Sequence, residues 1–353
     1  MNYSLIVCFL CCITFANAQE TSRQSDLTAF VRDKVKKTDF PKGVQLSLGI
    51  INQDQSFFIG LEKAMRWKEV ENENHIFEIG SISKVFSAML LSIAVSDGVI
   101  SLDDTIQHDW GIDWKVEQPI TYKMLANHTS GLPRIPSNIM KYIASNPANP
   151  YVDYSEADLI EYLENHLYLA ADPGKKYAYS NLGAGLLAHL VCKQLGLKYE
   201  QALQTYIFEP LEMTNSSTKR SKLKQEPEIG INKKGEETSF WDFQVLAGAG
   251  AIKSNVTDML RFMQFQLEGE NETVKLMQQR TFEGEPFDLA LGWHITKEGW
   301  LWHNGGTGGF TSSLALNTQN NQGVVILTNI APDHPDSKII DQLVFELLAE
   351  LSN

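Results

Sequence analysis

The segment Phe77-Glu78-Ile79-Gly80-Ser81-Ile82-Ser83-Lys84 holds the first residues suited to covalent chemistry. Ser81 and Lys84 stand three apart, so a helix brings both onto one face. A serine where a helix begins exposes its hydroxyl beside free backbone N–H groups. Val85, Met89, Leu90, Ile93 and Ala94 follow as an apolar stripe. A lysine packed against that stripe has its charged form disfavoured, and a neutral amine can draw the proton from Ser81. The spacing recurs in Ser216-Ser217-Thr218-Lys219 and Ser221-Lys222-Leu223-Lys224, but in a polar, basic stretch with no apolar helix behind it. The plain alternative for Ser81 is a helix N-cap.

The second constellation is Pro173-Gly174-Lys175-Lys176-Tyr177-Ala178-Tyr179-Ser180-Asn181. A phenol beside a lysine ammonium reaches its anionic form more easily, which suits Tyr179 to acid/base work. Asn181 can donate to and accept from a substrate amide. The alternative is an aromatic core residue followed by an N-cap asparagine. The third constellation is His303-Asn304-Gly305-Gly306-Thr307-Gly308-Gly309-Phe310. Glycines at a strand start let backbone approach a ligand closely. A backbone N–H of this strand, set opposite that of Ser81, would make an oxyanion hole, each donor of which contributes about 3–4 kcal/mol in comparable sites. His303 is placed to orient or polarise a substrate carboxylate or carbonyl; a surface histidine at a glycine turn is the rival reading.

In this order the three motifs resemble those of the penicillin-recognising serine hydrolases: class C β-lactamases, D-alanyl-D-alanine carboxypeptidases, D-aminopeptidases and β-lactamase-like esterases. His128-Thr129-Ser130-Gly131-Leu132, Ala247 to Ile252, Leu291-Gly292-Trp293 and Val324 to Asn329 extend the likeness through most of the chain. The resemblance implies that Ser81 is acylated, that Lys84 and Tyr179 share proton transfer, and that Asn181, His303, Gly305 and Gly306 bind substrate. The backbone N–H groups of Ser81 and Gly306 would form the oxyanion hole. One departure stands out: the third motif begins with His303 where the class C enzymes usually have lysine. The histidine variant looks more like the D,D-peptidase, D-aminopeptidase and esterase branches, and because a neutral histidine attracts a carboxylate less strongly than lysine does, efficient cephalosporin hydrolysis is not expected.

The elements that must position these residues are legible in the hydrophobic pattern. Residues 24–38 read as an amphipathic helix through Leu27, Phe30, Val31 and Val35. Val44-Gln45-Leu46-Ser47-Leu48 and Ser56-Phe57-Phe58-Ile59 flank the polar turn Asn52-Gln53-Asp54 as a hairpin. Residues 115–245 are mostly helix and loop, and Ser155 with Asp158 forms a helix-starting pair. Strand signals return at Trp300 to His303, Phe310 to Leu316 and Gly323 to Thr328, and Ile339 to Leu351 closes the chain as a helix. The expected fold is therefore α+β, and the resemblance implies that it is of the β-lactamase/transpeptidase type. One antiparallel sheet is built from both chain ends and flanked by helices (about 24–80 and 246–353), and a mostly helical lobe spans about 81–245.

Leu5 to Phe15 is an apolar run followed by Ala16-Asn17-Ala18, so residues 1–18 read as a signal peptide and 19–353 as the mature hydrolase domain. The expected location is exported, in a bacterial periplasm or secreted. Cys192 is then the one cysteine left, in an apolar helical stretch where packing is its role. The 353 residues carry a net charge of −13, which argues against nucleic acid or anionic membranes as partners. No apolar run reaches the roughly 18 residues of a membrane span. No metal-ligand, paired-cysteine or dinucleotide signature is present, and no cofactor is expected. The function implied is hydrolysis of an amide or ester (a D-amino-acid peptide, a β-lactam or a small ester) through a Ser81 acyl-enzyme. A catalytically silent binding or scaffold protein on the same fold is the alternative.

Overall fold

The computed structural model describes residues 22–108, 110–269 and 271–352. The proposed signal peptide lies outside them. Among the described residues no helix is long and apolar enough to cross a membrane.

Two chain ends meet in one eight-stranded antiparallel sheet. Its strands are β1 (Gln45–Asn52), β2 (Gln55–Lys63), β3 (Trp67–Glu69), β4 (Asp288–Leu289), β5 (His294–Ile295), β6 (Leu301–Gly306), β7 (Thr311–Asn317) and β8 (Gln322–Thr328), in the order β3-β2-β1-β8-β7-β6-β5-β4. The seam between the ends is β1 against β8, in register from Leu46 opposite Thr328 to Asn52 opposite Gln322. The first hairpin turns on Gln53 and Asp54, with Gln53 in the left-handed region at φ 57°. This is the polar turn read from the sequence.

Five helices matter for the site: α1 (22–35), α2 (Ser83–Ser96), α3 (Asn181–Gln194), α4 (Val256–Leu267) and α5 (Lys338–Leu351). Leu27, Val31 and Val35 of α1 recur every four residues and are all buried. Each such side chain contributes roughly 1.5–3 kcal/mol by leaving water. They join Ile340, Leu343, Val344 and Leu347 of α5 over Leu46, Leu48, Ile50, Val324 and Ile326 on one sheet face. The other face packs Leu314, Leu316, Val325 and Leu327 against Val256, Met259, Phe262 and Met263 of α4, in a core that continues into the helical region. Both faces are covered, so β8 reads as an unbroken apolar run rather than an alternation.

The middle of the chain is helical as expected, and Ser155 forms a complete capping box with Asp158. Two short strand pairs were not legible: Phe77–Glu78 with Lys253–Ser254, and Gly230–Ile231 with Glu237–Thr238. The second docks beside the sheet through Ile231, whose N–H donates to Asn329 O at 2.9 Å. Pairs two residues long carry too little periodicity to register as strands.

Candidate active site

Ser81 sits in a single 3-10 turn, Gly80–Ile82, between the Phe77–Glu78 strand and α2. Its hydroxyl caps no backbone group at either helix start, so the N-cap alternative does not hold. The turn is forced tight by its neighbour. Gly80 is at φ 49°, and a Cβ there would lie 2.6 Å from Gly306 N. A Cβ on Gly305 would lie 2.1 Å from Ile79 O and 2.9 Å from Ser81 N. Strand β6 therefore meets the serine turn backbone to backbone, and Ser312 Oγ clamps the contact by donating to Ile79 O at 2.8 Å. This close approach is what the glycines of the third motif permit, and it brings Gly306 N beside the serine turn.

Lys84, one residue into α2, is 3% exposed. Its Nζ lies 2.8 Å from Ser81 Oγ and donates to Ala249 O at 2.6 Å. Burial, and after it the positive charge of Arg134, holds this amine well below the ordinary lysine range. No described carboxylate pairs with it. Behind the turn lies a fully buried ion pair of a different kind, Lys253 Nζ at 3.6 Å from Glu78 Oε1. There burial raises the Glu78 carboxyl and Lys253 pulls it back.

Tyr179 arrives from the loop before α3. Ser180 caps that helix by accepting from Gly183 N at 2.8 Å, so the cap is Ser180 and not Asn181. Ser81 lies close enough to the Tyr179 phenol to favour its ionised form, an influence smaller than that of burial. The Tyr179 ring centroid lies 4.9 Å from Lys84 Nζ, 5.0 Å from Arg134 Cζ and 4.5 Å from the His128 ring. Easier ionisation was expected of this phenol. The structure reverses that: burial is the dominant influence and pushes it above the ordinary tyrosine range. The reason is that the neighbouring lysine is itself held toward neutrality, so it offers little stabilisation to a phenolate.

Asn181 is half-buried; its Nδ2 donates to Tyr151 Oη at 3.2 Å, and its Oδ1 is buried without a partner. His303 differs from expectation in position. It is 1% exposed, with Nδ1 2.6 Å from Asn304 O and Nε2 buried without a partner. The alternation of β6 turns His303 inward, where its ring stands behind the pocket wall, 6.3 Å from that of Tyr179. Burial holds it well below the usual histidine range, so it is neutral.

Three residues of the site were missed. His128 adopts φ 57°, stacks on Tyr179 and accepts from Ser180 N at Nδ1, 3.2 Å away, which anchors the tyrosine loop. His294 lies 3.1 Å from Tyr177 Oη and stacks on His303 at 5.0 Å; burial pulls it down to about 4. Arg134 lies at the rim. Only His128 carried a sequence signal, its place in the His-Thr-Ser-Gly-Leu segment. Ser81, Tyr179, Arg134, Tyr177, His294, Gly305 and Gly306 line one cleft of about 560 Å³, a size that suits a small ligand. Among the described residues no three His, Cys, Asp or Glu side chains converge as metal ligands.

The β-lactamase family model matches residues 43–349. This chain belongs to the β-lactamase family. It is a penicillin-recognising serine hydrolase with the α+β β-lactamase/transpeptidase fold. The β-lactamase of Escherichia coli (strain K12) is 24% identical to it, over 94% of either chain. Penicillin-binding protein 4* of Bacillus subtilis (strain 168) is 25% identical over 74% of this chain and 62% of its own. Among solved structures, a class C β-lactamase superposes with TM-score 0.78 at 22% identity, covering 95% of this chain and 98% of that one. A β-lactamase/D-alanine carboxypeptidase from Pseudomonas syringae gives TM-score 0.76 at 19% identity, covering 93% and 99%. In this β-lactamase-family chain the serine and tyrosine of the first two motifs line one cleft beside glycines of the third, and the lysine is buried against the serine.

Proposed function

We propose that the protein is an exported hydrolase that cleaves amide or ester bonds through a covalent Ser81 acyl-enzyme. The observation that carries this is the buried, carboxylate-free Lys84 amine 2.8 Å from Ser81 Oγ. In acylation the Ser81 proton passes to Lys84 as Oγ bonds the substrate carbonyl carbon. The oxygen that gains charge would face the backbone N–H groups of Ser81 and Gly306. The bond to the leaving group then breaks, and that group takes a proton from Tyr179. A phenol held protonated suits this donor role. Lys84 returns its proton to Tyr179, so no charge is stored on a buried amine. Water attacks the acyl-enzyme by the same steps in reverse.

The substrate is proposed to be a D-amino-acid peptide, a β-lactam or a small ester; the related proteins include a β-lactamase, a penicillin-binding protein and a β-lactamase/D-alanine carboxypeptidase. Asn181 is the proposed partner for a substrate amide, since its Oδ1 is otherwise unpaired. A silent binder is disfavoured because an amine buried without a counter-charge destabilises a fold that makes no use of it. Export rests on residues 1–18, with the mature chain starting at Gln19. The test is intact mass spectrometry after a fluorophosphonate or a penicillin. An adduct on the wild type that is absent from Ser81→Ala supports the reading; an unmodified wild type, or an adduct that survives Ser81→Ala, overturns it.

A further inference from the structure

We infer that Arg134 selects substrates bearing a carboxylate, taking from the helical rim of the cleft the anion that the buried third-motif His303 cannot reach. This rests on the acyl-enzyme reading above and adds a specificity determinant to it.

Four observations converge. The Arg134 guanidinium is exposed, lines the cleft with Ser81 and stands 5.0 Å from the centre of the Tyr179 ring. Stacking on an aromatic ring holds a guanidinium plane while leaving its edge N–H groups free for a bidentate carboxylate. Second, the backbone beneath it is fixed. Arg134 O accepts from Asn181 N at 2.9 Å and Leu182 N at 3.2 Å, and Pro133 O accepts from Ser180 Oγ at 2.7 Å. The arginine is thus tied to the same helix start that positions Tyr179. Third, no described carboxylate pairs with it: the one acid lining the cleft, Asp341, accepts instead from Asn304 Nδ2 at 2.8 Å. Fourth, a chain of net charge −13 lines this cleft with two cations, Arg134 and Lys338, against that single acid. A cleft of opposite sign to its protein draws in anions. The β6 rim offers no charge to do this, because His303 is buried and neutral.

The experiment uses two pairs of esters that differ only in charge. One pair is 4-nitrophenyl hydrogen glutarate and its methyl ester, with the carboxylate on the acyl side. The other is 4-butyryloxybenzoic acid and its methyl ester, with the carboxylate on the leaving side. The full chain should favour the charged member of one pair by about tenfold in kcat/KM, mostly through KM, as a charge-assisted hydrogen bond supplies. That preference should shrink with added salt. In Arg134→Gln the ratio should fall toward one; Arg134→Lys should keep part of it, and Lys338→Gln most of it. No preference in either pair, a preference that survives Arg134→Gln, or one lost in Lys338→Gln instead would overturn the inference. Turnover of neither pair by the wild type, with no fluorophosphonate adduct, would sink the hydrolase reading and this inference with it. Adduct formation and ester turnover without charge preference would sink this inference alone.

Discussion

Replacing Gly305 by alanine tests the backbone contact on which the site depends. The added Cβ would lie 2.1 Å from Ile79 O, 2.5 Å from Ser312 Oγ and 2.9 Å from Ser81 N. Real Cβ contacts stay beyond 3.0 Å, so the strand and the serine turn must part by about 0.9 Å. Ser312 Oγ can rotate away, but Ile79 O is backbone and cannot. A shift near 1 Å in positioned groups costs about 10²-fold in rate, or about 2.7 kcal/mol of barrier. Overpacking should also lower stability by about 1–3 kcal/mol. The assay is kcat/KM on a neutral nitrophenyl ester, with the rate of fluorophosphonate labelling and a urea melt to show that the variant is folded. Ser312→Ala in the same chain should not rescue activity, since the contact with Ile79 O remains. Gly98→Ala is the control. Its φ is 71° with open space around it, so it should lose about 1–2 kcal/mol of stability through the left-handed backbone alone and keep its activity. A folded Gly305→Ala protein within threefold of wild-type kcat/KM would refute the close-approach argument.

Lys84→Met should lower kcat/KM by about 10²–10⁴-fold. In the proposed mechanism the neutral amine is the working form, so activity should fall as pH drops through its lowered pKa, and that limb should vanish in the variant. The unfolded chain holds this proton more tightly than the folded one, so the contribution of Lys84 to stability should grow as pH rises from the folded pKa toward 10.5. Melting curves across alkaline pH check the sign. Tyr179→Phe should slow amide hydrolysis more than nitrophenyl ester hydrolysis, because nitrophenolate departs without a proton; equal losses would count against the donor role. Lys253→Met strands the buried Glu78 carboxylate and should cost about 3–5 kcal/mol in a urea melt, much of it recovered by adding Glu78→Gln.

The pairing of Ser81 with Lys84 was readable because it is local. One helical turn joins them, and the apolar residues that bury the amine follow in the same helix. The hairpins and terminal helices were readable for a similar reason, since their periodicity is set by the face each buries. Arg134 and His294 were not, and His128 was visible only through its place in the His-Thr-Ser-Gly-Leu segment. All three lie far along the chain from Ser81, and no spacing rule relates them to it. The same holds for the direction in which β6 points His303. The residue was visible, but whether it faced the cleft or the interior depended on strand register, where one residue changes the face.

The chain alone thus determined which groups can react and in what order they occur, because residue type and short-range spacing carry that information. Tertiary structure decided their states. It withdrew Lys84 from water, kept Tyr179 protonated, buried His303 as a neutral ring and left Arg134 as the exposed cation of that rim. Each of those outcomes depends on which distant residues exclude solvent from a group, and desolvation is a property of the packed molecule rather than of any segment.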